Sequence, residues 1–157
     1  MDLSSIERFV RVMPARDAPL DIRILKAHLL AEEALNKYLA EVLPRGKLLL
    51  KEKFSTKLRV AKANTLPSHN LNWLWCAFDK LNKLRNSFAH KIEDSKRAEK
   101  VEKFVAACRK SPTWARWTKD STFDPITSAI FVSCNELGLL SLTRSSKSSK
   151  LSLRPTA

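Results

Sequence analysis

Apolar residues recur at intervals of three and four along most of this chain. That is the period of a helix with one buried face, and the alternating stretches are too short to argue for a sheet. Ile6, Phe9, Val10 and Met13 fall at i, i+3, i+4 and i+7 and predict a first helix over 5–13. Ser4 and Glu7 have the spacing of a capping box at its start. Pro14 and Pro19 bracket a loop. A long helix over about 20–43 is predicted next, with Leu25, Leu29, Leu35, Leu39 and Val42 on its inner side and Pro44 and Gly46 ending it.

Residues 47–53 are apolar flanked by charge, and Ser55 is placed to cap a short helix reaching about Ala63. Leu66-Pro67-Ser68-His69-Asn70 breaks the pattern. Leu74, Phe78, Leu81, Leu84 and Phe88 then form a core-facing stripe on a central helix over about 71–88. A further helix over about 95–109 carries Val101, Phe104, Val105 and Cys108, and a Pro- and Trp-containing connector follows over 111–123. Asp124-Pro125 is a start signal, an N-cap residue with Pro at the first helical position. Ile126, Ile130, Phe131, Cys134 and Leu137 mark the last helix, expected to end near Gly138. The expected fold is an all-α bundle of five or six helices. Its parts are an N-terminal helix in 1–16, the bundle in 17–142 and a Ser/Lys-rich, disordered basic tail in 143–157 with too little apolar surface to fold.

Length and composition agree with that picture. A chain of 157 residues is one domain by length and can bury roughly 70% of its unfolded surface. Two glycines leave little scope for turns. The 29 Lys and Arg against 16 Asp and Glu give a net charge of +13. Four of those excess charges lie in 141–157 (Arg144, Lys147, Lys150, Arg154), so the body is itself strongly basic and suits a polyanionic partner. Cys76, Cys108 and Cys134 are odd in number, widely spaced and flanked by apolar residues, which fits buried thiols in a reducing compartment. No run of 18 apolar residues and no signal-peptide pattern occurs, so a cytoplasmic protein with no membrane partner is expected. His28 and His69 lack partners at metal-ligand spacing, and neither a Gly-rich phosphate loop nor a nucleophile elbow is present; no metal or cofactor is expected.

The candidate chemistry lies in Leu84-Arg85-Asn86-Ser87-Phe88-Ala89-His90. At 100° per residue Asn86 and His90 stand about 40° apart on one helix face, with Arg85 beside Asn86. Arg85 is a permanent cation with a planar donor fork, and His90 can take or give a proton near neutrality. A His in the last turn also favours the helix macrodipole, so a capping role accounts for the same residues. Lys80, Lys83 and Lys91 surround the motif, and Lys47, Lys51, Lys53, Lys57, Arg59 and Lys62 form a basic stretch upstream. In the connector, Trp114-Ala115-Arg116-Trp117-Thr118-Lys119 interleaves aromatics with cations; its tryptophans either stack a base, with Arg116 and Lys119 on phosphate, or fold onto the bundle as a lid. Of Trp73 and Trp75, one is expected in the core and the other at an interface.

Leu81-Asn82-Lys83-Leu84-Arg85-Asn86-Ser87-Phe88-Ala89-His90 resembles the signature of the HEPN superfamily, an Arg, then a polar residue, then a His four to six residues after the Arg on a long helix. The Leu-Asn before the motif, the Phe-Ala inside it and the later Cys134-Asn135-Glu136-Leu137-Gly138 resemble the mannitol operon repressor-like group. The likeness is clear over about 71–93 and architectural over about 20–140. It implies a HEPN-like bundle that pairs through the motif helix as a homodimer, with two Arg/His sets facing each other. Two functions answer to it. One is a nucleic-acid-directed regulator, non-catalytic or weakly catalytic, with Lys80, Lys83, Lys91, Arg116 and Lys119 contacting RNA or another nucleic acid. The other is a metal-independent, toxin-type endoribonuclease. In that case Arg85 holds the phosphate, His90 works as acid or base and Asn86 orients the His or donates to a phosphate oxygen. An antitoxin or regulatory protein is a further partner that such a protein would have.

Overall fold

A computed structural model describes residues 3–66, 69–90, 95–119 and 121–151, of which 3–6, 90, 139 and 141–151 are described by their backbone alone. Among these residues the chain is all helical. Seven α-helices are present: α1 (Leu3–Val12), α2 (Leu20–Val42), α3 (Phe54–Ala63), α4 (Asn72–His90), α5 (Arg97–Cys108), α6 (Trp114–Thr118) and α7 (Pro125–Leu151). A short 3-10 turn, Gly46–Lys51, joins α2 to α3. All six helices expected from periodicity are there; the five-residue α6 lies inside the 111–123 connector, and the 3-10 turn covers most of the apolar segment 47–53. No helix of the described residues is long and apolar enough to cross a membrane.

Helix α2 organises the bundle, packing against α7 on one side and against α3, α4 and the 3-10 turn on the other; α5 bridges α4 and α7. Its buried face consists of Arg23, Ile24, Ala27, His28, Ala31, Leu35, Tyr38 and Leu39. Two residues assigned to that face are outside it, Leu25 at 45% and Leu29 at 49% exposure. The geometry explains the error: stepping 100° per residue, Leu25 and Leu29 stand about 80° and 120° round the helix from Leu35. Small Ala27 and Ala31 hold the inner positions, which lets the neighbouring helices approach closely. On α4 the expected stripe is the observed one. Leu74, Phe78, Leu81 and Leu84 are fully buried and Phe88 is partly so. Both Trp73 and Trp75 are buried, Trp75 against Tyr38, so neither faces outward.

Local signals worked unevenly. Asp124 is the N-cap expected for α7, its Oδ1 accepting from the Ile126 amide at 3.0 Å and its Oδ2 from the Thr127 hydroxyl at 2.6 Å. Ser55 does not cap α3, which begins at Phe54 with Lys53 before it and no side-chain cap. Ser4 lies inside α1, which already starts at Leu3. Gly46 is used for contact: a Cβ there would stand 1.8 Å from the Leu39 carbonyl oxygen, so only glycine lets the 3-10 turn rest on α2. Gly138 does not stop α7. Its φ is negative, an added Cβ would meet nothing within 4 Å, and Leu137 and Leu140 keep an apolar face on the core as the helix passes. The backbone of 143–151 continues α7, and 152–157 lie outside the described residues. Cys108 and Cys134 are buried as expected, whereas Cys76 is exposed on α4.

One buried ion pair ties the start of α2 to the start of α7. Arg23 and Asp124 are paired, with each side chain less than a tenth exposed. Burial pushes the Asp124 carboxyl up, but the hydrogen bonds from Thr127 and Arg23, the Arg23 charge and the Ile126 amide together bring it below the ordinary carboxylate range. A depressed folded-state pKa contributes stability that is present above the unfolded value near 3.8 and is lost as pH falls through the lower folded one. Asp124→Asn leaves Arg23 buried without its counter-charge and is expected to cost about 3 kcal/mol at pH 7. The deficit relative to wild type should shrink towards pH 2 in urea melts; a deficit independent of pH would show that the pair is not the source.

Candidate functional site

The face of α4 that carries the motif is built from the boundary between its buried and exposed sides. Leu81, Leu84 and Phe88 turn into the bundle, which leaves Asn82 and Arg85 half-buried at the rim and Asn86 exposed. α4 remains helical through His90, so the chain does not bend away after Phe88. The His90 side chain and all of Lys91 lie outside the described residues. Arg85 Nη1 donates to Asn86 Oδ1 at 3.2 Å, and among the described residues it has no other side-chain hydrogen bond and no carboxylate partner. A guanidinium has five donors. Most of this fork is therefore available to an anion.

Behind Arg85 lies a polar seam that periodicity did not reveal. His28, on the inner face of α2, is 6% exposed and meets Asn82 Oδ1 across the α2–α4 junction at 3.2 Å. Its ring stacks at 4.5 Å on Phe54, the first residue of α3. Lys57 from α3, a member of the upstream basic stretch, is only 1% exposed. Its ammonium reaches Glu32 of α2 at 2.7 Å. A buried ammonium without a partner is prohibitively costly, and Glu32 at the rim supplies that partner while keeping part of its own hydration. Lys47, Lys51, Lys53, Arg59 and Lys62 are exposed as expected. The signal for His28 was present in the sequence, four residues before Glu32 and on the same face as Ala27 and Ala31, but nothing there named Asn82 as its partner.

The remaining candidates are dispersed. Lys80 and Lys83 stand about 140° and 160° round α4 from Arg85, and Lys83 is paired to Asp79 at 2.7 Å. The hydrogen bond and charge of Asp79 raise the Lys83 pKa. Arg116 and Lys119 sit at α6, which packs on α7, whereas α4 packs among α2, α3 and α5. The Arg116 guanidinium lies 5.3 Å over the Trp117 ring, and that ring meets Phe131 edge-on at 5.7 Å. Trp114 and Trp117 pack partly buried against the core, which is the lid arrangement. The Cys134-Asn135-Glu136 segment is largely interior: Cys134 and Asn135 are buried, and Glu136 accepts from the Thr113 hydroxyl at 3.2 Å. Burial pushes the Cys108 and Cys134 thiols up to about 12, which removes them as nucleophiles. No group of three or more His, Cys, Asp or Glu among the described residues could hold a metal ion.

Comparison with protein-family models, with curated proteins and with solved structures found no match for this chain.

Burial holds the His28 pKa below its usual value; the Asn82 hydrogen bond and Glu32 oppose this, while the charges of Arg85 and Lys57 add to it. The folded protein thus prefers the neutral imidazole, and the unfolded chain takes up a proton near 6.5. Stability contributed by His28 is full above pH 6.5 and declines below it until the lowered folded value is passed. Urea midpoints of wild type should therefore fall between pH 7 and pH 5 more steeply than those of His28→Gln; equal slopes would contradict this account.

Proposed function

We propose that the protein is a HEPN-like, nucleic-acid-directed regulatory protein that acts as a dimer, with Arg85 and Asn86 as its contacts to phosphate. The observation that carries this reading is the Arg85 fork, half-buried and, among the described residues, without a carboxylate partner and bonded to the Asn86 amide, in a chain of net charge +13. Free donors on a basic body favour phosphate through counterion release and charge-assisted hydrogen bonds.

The dimer reading draws support from α2. Ile22, Leu25 and Leu29 are exposed at i, i+3 and i+7, within about 60° of one another, and lie about 60–120° round the helix from His28. They put an apolar strip next to the polar seam. A second copy placed there would bury that strip and bring two Arg85 faces close together.

Cleavage is the second reading, and one placement favours it: position 90 follows Asn86 by one turn of α4, on the same side of the helix. There the His90 imidazole would take the proton of a ribose 2′-hydroxyl as that oxygen attacks phosphorus. Breaking the bond to the 5′-oxygen, which takes the proton from the His90 imidazolium, yields a 2′,3′-cyclic phosphate and a 5′-hydroxyl. Arg85 would stabilise the extra charge on the phosphoryl oxygens.

With purified protein in EDTA, labelled oligouridylate should bind, and Arg85→Ala should lower the slope of log affinity against log salt by about one. Binding without cleavage selects the regulator. Cleavage lost in both Arg85→Ala and His90→Ala selects the nuclease, and absence of both binding and cleavage in wild type refutes either form. Light scattering should give a dimer for wild type and a monomer for Leu25→Glu/Leu29→Glu; a wild-type monomer would remove the paired site.

A further inference from the structure

In the contact between His28 and Asn82 the amide oxygen of Asn82 is turned inward, which leaves its NH2 end facing outward. An amide oxygen can only accept, so the 3.2 Å approach to Asn82 Oδ1 requires the hydrogen on His28 Nε2. Phe54 packs on the imidazole and fixes its plane. With Oδ1 turned inward, the Asn82 NH2 group is left with no partner among the described residues. One turn further on, Arg85 treats Asn86 as His28 treats Asn82: it donates to Oδ1 and leaves that NH2 group without a partner among the described residues. Residues 82 and 86 are about 6 Å apart along the helix axis and about 40° apart round it, and Arg85 stands about 60° to the other side of Asn82. The result is a group of three side chains whose NH groups have no other partner among the described residues, while each amide oxygen already accepts one hydrogen bond.

We propose that His28 is a positioning residue that holds Asn82 as a donor, so that Asn82, Arg85 and Asn86 together grip the phosphate backbone of single-stranded RNA. This rests on the reading of Arg85 and Asn86 as nucleic-acid contacts and extends it by one turn of α4 and one residue of α2. Three neighbouring donors on this side of α4 suit the non-bridging oxygens of a strand, each a pure acceptor, and charge assistance strengthens each bond. Base identity does not enter, so the grip is independent of sequence. Burial of His28 keeps the imidazole neutral at pH 7, and its role there is orientation of Asn82.

The test uses the full-length protein with fluorescein-labelled oligouridylate, read by anisotropy, beside NMR of the side-chain amides and the imidazole nitrogens. Asn82→Asp replaces the free donor by an acceptor and should weaken binding about tenfold or more. His28→Leu, which releases the Asn82 amide, should weaken it about threefold to tenfold, and His28→Gln, whose own NH2 can donate to Oδ1, should restore most of the loss. The Asn82 NH2 resonances should shift on adding oligouridylate to wild type, and the His28 hydrogen should reside on Nε2.

Wild-type affinity in both Asn82→Asp and His28→Leu overturns the proposal, as does a hydrogen on Nδ1 alone. If Arg85→Ala weakens binding while those two variants do not, the phosphate reading stands and the positioning role falls. If Arg85→Ala binds like wild type, the reading fails and takes this proposal with it. Should His28→Leu fail to fold, the Asn82→Asp affinity and the wild-type amide shifts decide.

Discussion

An ammonium buried to 1% exposure cannot be left without a counter-charge, and Lys57 meets that requirement through Glu32. This pairing sets α3 against α2 with a directionality that apolar packing alone lacks. Phe54, one turn before Lys57, is thereby laid on His28, and His28 in turn meets Asn82 on α4. Three helices are registered by one chain of polar contacts that ends one turn short of Arg85. The placement of the candidate site follows from that chain.

The same helix is held at its other end by the buried pair of Arg23 with Asp124. Asp124 serves two purposes there, capping α7 and neutralising Arg23, so the entry of α7 is tied to the entry of α2. Towards the far end of α2, Gly46 lets the 3-10 turn rest against Leu39 where any side chain would collide. α2 is thus fixed at its start, middle and end. Arg85 and Asn86, by contrast, stand at the rim, and among the described residues their side chains bond to one another. A rigid frame behind loosely committed donors is the arrangement expected of a binding face, since fixed supports lower the ordering cost when a ligand arrives.

Much of the fold was legible because amphipathic periodicity is a local property. The stripe on α4 and the Asp124-Pro125 start of α7 emerge from spacing and cap chemistry, and both are as expected. Leu25 and Leu29 were misplaced because hydrophobicity was weighed ahead of angle; Ala27 and Ala31 occupy the inner positions. Ser55 and Gly138 failed as end signals for a related reason. Cap and stop residues state a preference of about 1 kcal/mol, which the burial of Phe54 and of Leu137 readily exceeds.

The sequence by itself determined the helical class, most helix boundaries, the basic balance and the Arg85–His90 motif, because each depends on residue type and on spacing within one or two turns. Only the tertiary structure decided that Lys57 is interior, that the α6 helix of Arg116 packs on α7 while the α4 helix of Arg85 packs among α2, α3 and α5, and that His28 bonds to Asn82. Lys57 and Glu32 are 25 residues apart, and His28 and Asn82 are 54 apart. Contacts at such separations arise from how helices cross and which faces meet, and no pattern along a single helix encodes them.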